Sequence, residues 1–333
     1  IILDRISKRL DEQQPVEQAG FRKNYSTLDH IHTVKQVIEK YNEYNKNIYI
    51  AFIDYNKAFD SLIHERIWET LEEQGIPQPY VNIIKTIYSN SKARIQLESL
   101  GDEFPIEKGV RQGDPISPKI FSAVLESIFR NLKWQHLGIC INGKRLNHLR
   151  FADDIVLLEE SPSTLEQMIR ELSQESNKFG LIMNGSKTKL MTNSIQVEIM
   201  VNEEFLEYVE DYVYLGQIIS FKDQMTKEVN KRIANGWKKY WALKYIMKNK
   251  DFSTSLKSKV FNTCILPCLT YGCETWALTA IHRAKLATCQ HAMERSMLGL
   301  RRCDRVKNIY IRKKTKFVDI LHRVDQLKWK WTG

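Results

Sequence analysis

The chain has 333 residues, 43% of them apolar, which is enough for a buried core and, at about 100–200 residues per domain, for roughly two domains. Its 50 basic residues outnumber its 40 acidic ones, and the net charge of +10 suits a polyanionic partner, because each Lys or Arg set against a phosphate releases condensed counterions. The longest apolar runs, such as 261–271, are too short to span a bilayer, no charged-then-apolar leader follows Ile1, and six cysteines are too few for a disulfide scaffold; these features argue against a membrane or secreted protein and for an intracellular one, nuclear or cytoplasmic.

Leu28, Ile31, Val34, Val37 and Ile38 fall at helical spacing and predict a helix over 26–45, opening near Ser26. Residues 47–53 predict a short buried strand ending at Asp54. A helix is expected over 57–73, stopped by Gly75 and Pro77, and another over 80–88. Residues 92–107 suggest a strand pair with its turn at Gly101-Asp102, and 117–134 a helix. Asn142-Gly143 is a hairpin turn signal. The apolar runs 148–152 and 155–158 flank Asp153-Asp154. Ser163-Thr-Leu-Glu166 is a capping-box pattern that opens a helix closing at Gly180, after which a strand leads to Asn184.

Past about residue 225 the strand signals fade. Residues 222–250 carry nine basic and two acidic side chains, with Val229, Ile233, Trp237 and Trp241 forming a four-spaced apolar stripe. The last third therefore reads as a basic, mostly helical module. Cys264, Cys268 and Cys273 lack zinc-ligand spacing and have apolar residues between them, so they are expected to be buried structural thiols.

Two adjacent acids between apolar runs are costly, since close carboxylates repel and burial makes the repulsion worse. A tight turn would project Asp153 and Asp154 from one place, and a divalent cation would relieve them; a solvated turn is the plain alternative. Asp54 also ends an apolar strand. Three carboxylates at strand ends can hold two Mg2+ ions, which clamp the attacking and leaving oxygens of an in-line phosphoryl transfer. Gly109-Val-Arg-Gln-Gly113-Asp-Pro-Ile-Ser-Pro118 adds a turn and a helix start, where Gly113 lets backbone approach something closely.

Asp54-Tyr-Asn-Lys-Ala-Phe-Asp60, then Arg111-Gln-Gly-Asp-Pro115, then Phe151-Ala-Asp-Asp154, in that order, resemble the reverse transcriptase of non-LTR (LINE-type) retrotransposons. Gln18-Ala-Gly-Phe-Arg22 with Ser26-Thr-Leu-Asp29 resembles the family's finger motif, Gly180-Leu-Ile-Met-Asn184-Gly-Ser-Lys187-Thr its fourth palm motif, and Tyr214-Leu215-Gly216 its primer grip. Leu269-Thr-Tyr-Gly-Cys273-Glu-Thr-Trp276 resembles a stretch common past the palm. The resemblance implies an α+β right-hand polymerase: partial fingers over 1–46, a palm with an antiparallel sheet over 47–225, and a basic helical thumb over 226–333. It implies that Asp54 and Asp153 bind metal directly with Asp154 in support, using two Mg2+ ions or Mn2+. Phe59 would be the gate against a ribose 2′-OH, and the backbone from Tyr55 to Phe59 would meet the triphosphate. Gln112 and Gly113 would lie along nucleotide and template, Arg22 would act in the fingers, and Lys187 would protonate the leaving pyrophosphate. The implied partners are an RNA template, a DNA primer, their RNA–DNA heteroduplex and dNTP. An upstream Arg-Pro-Ile-type finger segment and an endonuclease domain of the family are not in this sequence, which reads as a fragment cut at both ends, weak or inactive by itself. Two other readings stay open: a catalytically inactive retroelement-derived nucleic-acid-binding protein, and a metal-dependent nuclease.

Overall fold

A computed structural model describes all 333 residues and divides into two compact units, Ile1–Leu215 and Gly216–Gly333. No helix is long and apolar enough to cross a membrane. In the first unit, α1 (Ile2–Glu12) and α2 (Thr27–Glu43) precede β1 (Tyr49–Ile53). Ser26 and Asp29 close a capping box at the start of α2, the Asp29 carboxylate accepting from the Ser26 amide at 3.0 Å. Then come α3 (Ala58–Ser61), α4 (His64–Glu73), α5 (Gln78–Ser89), the short pair β2 (Lys92–Ala93) and β3 (Phe104–Pro105), and α6 (Ser117–Asn131). The hairpin β4 (Ile139–Ile141) and β5 (Lys144–Leu146) turns at Asn142-Gly143, both in left-handed backbone, as the dipeptide predicted. β6 (His148–Phe151), β7 (Asp154–Glu159), α7 (Pro162–Lys178), β8 (Lys189–Thr192), β9 (Met200–Val201), β10 (Glu204–Phe205), β11 (Glu207–Tyr208) and β12 (Asp211–Tyr214) complete it.

Five strands form the central sheet in the order β11-β8-β1-β7-β6. Because side chains alternate along a strand, Tyr49, Ala51 and Ile53 of β1 face one core with Ile155 and Leu157 of β7. That core includes Phe121, Val124 and Ile128 of α6 and Leu165, Met168 and Leu172 of α7. Residues 50, 52 and 54 project to the opposite face. β1 is buried on both faces, which is why it reads as an unbroken apolar run. Ile6 and Leu10 of α1 belong to the same core, so residues 1–46 are not a body apart, and the division of the chain falls at 215/216 rather than 225/226.

Several expectations need correction. The helix expected over 57–73 breaks into α3 and α4, because Leu62 and Ile63 are extended and the Ile63 amide donates to the Phe179 carbonyl at 3.1 Å. The turn between β2 and β3 lies at 97–99, under a bridge between Gln96 and Leu100, not at Gly101-Asp102. The cap of α7 is Ser161, whose hydroxyl accepts from the Thr164 amide with Pro162 opening the helix. Residues 181–184 form no strand beyond one bridge from Met183 to Tyr55, because the chain curls there: the Thr188 amide donates to the Asn184 carbonyl. The sheet is antiparallel except at its edge, where β11 runs parallel to β8.

The second unit holds β13 (Gln217–Ser220), α8 (Gln224–Ala242), α9 (Lys244–Met247), α10 (Thr254–Val260), α11 (Leu266–Thr270), α12 (Ala280–Leu298), α13 (Asn308–Thr315) and α14 (Ile320–Thr332). A π-helical turn at Phe261–Ile265 precedes Pro267, where the ladder loses a donor. Val229, Tyr240, Phe261, Leu269, Trp276, Met293 and Ile320 make its core. The stripe on α8 does not stay inside: Val229 is buried, but Trp241 is 49% exposed. A four-residue step advances about 400°, so each repeat drifts about 40° off the core. Of the six free thiols only Cys273 and Cys289 are buried; Cys264 and Cys268 are half-buried and Cys140 and Cys303 exposed, against the expectation of a buried trio.

Candidate active site

β1 pairs with β7 so that Ile53 stands opposite Ile155, and β6 pairs with β7 so that Phe151 stands opposite Asp154. Asp54, one residue past β1, therefore comes beside the two-residue turn Ala152-Asp153 and the first residue of β7, Asp154. The sheet register alone brings the three carboxylates together. Partial desolvation, with the charge of Asp54 adding to it, holds the Asp153 carboxyl above the usual carboxylate range. Asp154 is exposed at its surface, yet desolvation first and then the charges of Asp153 and Asp54 push it up to about 6. One oxygen of Asp54, Oδ1, is buried without a hydrogen-bond donor. The Lys187 ammonium stands 3.6 Å from it, an ion pair beyond hydrogen-bond reach.

No three His, Cys, Asp or Glu side chains gather tightly enough to hold a metal ion between them. A pair of carboxylates is still a fitting Mg2+ site, since that ion is usually held by one or two carboxylates together with substrate phosphates. The orphaned Asp54 oxygen and the mutual repulsion of its neighbours are what a cation would relieve.

The turn itself is braced from the chain's beginning. Ala152 is held in left-handed backbone (φ +57°), which costs of order 1–3 kcal/mol for a residue with a Cβ. Residues 17–20 run alongside: the Arg150 amide donates to the Glu17 carbonyl at 2.8 Å and the Ala19 amide to the Arg150 carbonyl at 3.0 Å. Gly20 lies so close that a Cβ there would stand 2.3 Å from the Ala152 nitrogen. Arg150 is buried against α6, paired with Glu126 at 2.7 Å and laid over the Phe129 ring. Asp54 has its own clamp. Its amide donates to the Thr188 hydroxyl at 3.3 Å, and its carbonyl accepts from the Asn184 amide at 2.8 Å.

Phe59 on α3 is half-buried, stacked on Phe121 at 4.5 Å with the edge of Phe21 at 6.3 Å. Tyr55 turns its side chain into the core, its hydroxyl 2.6 Å from Ser176, and the Asn56 amide is taken by the Ile182 carbonyl. Of the 55–59 segment, the Tyr55 side chain and the Asn56 amide are therefore engaged within the protein. Gln112 donates to Asp60 at 3.0 Å. Gly113 has φ +86° and open space around it, so the backbone angle demands glycine there and nothing in the protein crowds it. Arg22 is engaged internally, its guanidinium donating to the Pro15 and Gln18 carbonyls at 2.5 and 2.9 Å while lying over Tyr25.

Tyr214 is buried, its hydroxyl 3.4 Å from His30, whose pKa burial pushes down to about 4. Leu215 and Gly216 both take left-handed backbone, a tight turn at the junction of the two units. Within the second unit, the Gly216 carbonyl accepts from Lys231 at 3.3 Å and from Arg232. Sequence reasoning gave no role to Gly20, Asn184, Thr188 or Tyr212. Tyr212 stacks on Phe52 at 4.1 Å, and its phenol is pushed up to about 12 by burial and then by Asp154 and Asp54. Its one signal was position: it alternates with Tyr214 on the same strand face.

The family model described as reverse transcriptase (RNA-dependent DNA polymerase) matches residues 1–219. A retrovirus-related Pol polyprotein from a type-1 retrotransposable element R2 of Nasonia vitripennis is 29% identical over 200 residues, 56% of this chain and 19% of that protein. A putative uncharacterized transposon-derived protein of Caenorhabditis elegans is 30% identical over 205 residues, 58% of this chain and 72% of the relative. The RNA-directed DNA polymerase from mobile element jockey of Drosophila funebris is 23% identical over 90% of this chain and 34% of its own length. The chain thus spans about a fifth of the length of the R2 Pol protein it matches. Apo telomerase from Candida tropicalis shares the fold, with a TM-score of 0.55 at 13% identity, covering 98% of this chain and 54% of that one.

Proposed function

Because the chain belongs to the reverse transcriptase (RNA-dependent DNA polymerase) family, we propose that it carries the polymerase centre of a non-LTR retrotransposable element, adding deoxynucleotides to a DNA primer on an RNA template. The observation that carries this reading is the sheet register that sets Asp54 beside Asp153 and Asp154. The primer 3′-oxygen attacks the α-phosphorus of a dNTP, and the bond to pyrophosphate breaks. Asp54 and Asp153, with Asp154 in support, are the residues to hold divalent cations; bound there, Mg2+ or Mn2+ neutralises charge on the attacking and leaving oxygens. Lys187, whose ammonium is 3.6 Å from Asp54, would hand a proton to the departing pyrophosphate. Backbone amides within 55–59 and the Gln112-Gly113 loop would position triphosphate and template, and the RNA–DNA heteroduplex is read by its shape. The test is Mg2+-dependent extension of a labelled DNA primer on RNA. Binding without extension would favour the non-catalytic reading, and cleavage of the duplex without dNTP the nuclease.

Phe59 is one prediction of this reading. Phe59→Val should raise ribonucleotide incorporation relative to deoxynucleotide by about tenfold or more, since removing a clash changes selectivity more than rate. The ring's stack on Phe121 offers the competing account. An unchanged ratio with activity intact would make Phe59 a core residue only.

The basic second unit gives another. Of Lys231, Arg232, Lys238 and Lys239 beside the apolar stripe, some should face phosphates; Lys231 and Arg232 both bond to the Gly216 carbonyl, and Arg232 is buried against Glu228. Lys238 and Lys239 are exposed, as are Arg301, Arg302, Arg305, Lys307, Lys313, Lys314 and Lys316, whereas Arg312 pairs with Asp319. Changing Lys238 and Lys239 to Ala should lower the salt slope of nucleic-acid binding by about one for each phosphate no longer neutralised, equally across sequences. Arg232→Ala should instead cost stability, of order 3 kcal/mol, by leaving Glu228 buried and unpaired. A slope that stays put in the double lysine variant would mark those charges as merely solvated.

A further inference from the structure

Tyr212 of β12 stacks on Phe52, two residues before Asp54, and nothing in the polymerase reading uses it. Its ring lies nearly parallel to Phe52, centroids 4.1 Å apart and 18° between planes. Phe52 precedes Asp54 by two residues on β1, so both side chains leave the same face of the sheet. Tyr214, two residues on, is anchored on that face by Phe52 at 5.7 Å and by His30, whose ring meets Phe151 edge-on at 6.2 Å. Phe151 in turn leads into Ala152-Asp153. Tyr212 is thus fixed at both ends of its strand segment, half-buried, and stacked on the face of β1 toward which residues 52 and 54 both project.

A neutral donor can orient groups beside the carboxylates without repelling an arriving cation as an ammonium would. Lys187 is a charged and mostly exposed partner, 65% open to solvent. A phenol is neutral, short of rotamers once stacked, and has a single donor. We propose that Tyr212 is a positioning residue of the metal site, its hydroxyl holding one carboxylate oxygen or a cation-bound water so that the remaining oxygens face the cation. The proposal rests on the polymerase reading for the identity of the site, but not for its test.

The test uses the full chain and two variants. Tyr212→Phe keeps the stack on Phe52 and removes only the donor; Tyr212→Leu removes both. Mn2+ binding is measured by electron paramagnetic resonance without nucleic acid, and primer extension is titrated with Mg2+. Tyr212→Phe should weaken Mn2+ binding about five- to tenfold. It should also raise the half-saturating Mg2+ concentration by a similar factor while leaving the rate at saturating Mg2+ within about threefold of the parent. Tyr212→Leu should lower that rate as well, because the strand loses its anchor. Unaltered Mn2+ binding in Tyr212→Phe overturns the proposal and leaves the ring as packing alone. A parent chain that binds Mn2+ but extends no primer counts against the polymerase reading, and the Mn2+ comparison still decides the role of Tyr212.

Discussion

Asp153→Asn should abolish most primer extension while making the metal-free protein more stable. The substitution keeps the shape of the turn and removes a charge the cations need. Losing about 4 kcal/mol of transition-state charge stabilisation corresponds to about a thousandfold in rate. Nucleic-acid binding should hold or strengthen, since one charge repelling phosphates is gone. Stability moves the other way for the same reason. Asp154 has a folded pKa near 6 against 3.8 for the free group, so it favours the folded chain while protonated. That contribution is full below about pH 4 and is lost as pH rises through 6. At pH 7 without metal the ionised group works first against desolvation and then against the charges of Asp153 and Asp54; Asp153→Asn removes only the Asp153 share, and once the exposure of Asp154 is allowed for should gain at most about 1 kcal/mol. In a unit of this size that is about 2–4 °C in Tm. Mg2+ should stabilise the parent, more strongly at pH 7 than at pH 5, and the variant less. Extension by Asp153→Asn at near the parent rate would remove the aspartate from the catalytic centre.

The carboxylate site was legible in the sequence because its chemistry and its strand signals coincide. Asp54 and Asp153-Asp154 interrupt apolar runs, and strand pairing converts those interruptions into one place. Asn142-Gly143 was legible because two left-handed residues demand that dipeptide. What was not legible depends on which partner a side chain finds across the fold. Arg22, Arg111 and Arg232 look alike in sequence, but Arg22 braces its own loop, Arg111 donates to the Ile87 carbonyl at 2.8 Å and to Ser91, and Arg232 is buried beside Glu228. The apolar run at 181–183 reads as a strand, yet the need to clamp Asp54 through Asn184 curls the chain before a ladder can form. Tyr212 carried no motif of its own; only its stack on Phe52 gives it a place beside the carboxylates.

The role of Gly20 can be weighed against that of Gly113, because the two are glycines for different reasons. A methyl at Gly20 meets the Ala152 nitrogen at 2.3 Å, the Phe151 carbonyl carbon at 3.0 Å and the Ala152 Cα at 3.1 Å. These are backbone atoms of the turn that carries Asp153, tied on one side by the Ala19–Arg150 hydrogen bond and on the other by β7. They cannot swing away as a side-chain tip would, so the turn must shift. Overpacking of this kind costs about 1–3 kcal/mol. Displacing a reacting group by about 1 Å can cost about a hundredfold in rate. At Gly113 nothing stands within 4 Å, and Ala would meet only the cost of φ +86°, about 1–2 kcal/mol. Gly20→Ala should therefore lower Tm by several degrees and cut extension about a hundredfold or more. Its Mn2+ affinity should fall with the rate, because the displaced atoms belong to Phe151 and Ala152, the two residues that lead directly into Asp153. Gly113→Ala should lower Tm comparably or less and leave Mn2+ affinity near that of the parent. Gly20→Ala protein with parent-like melting, Mn2+ binding and extension would show that the 17–20 segment does not brace the turn.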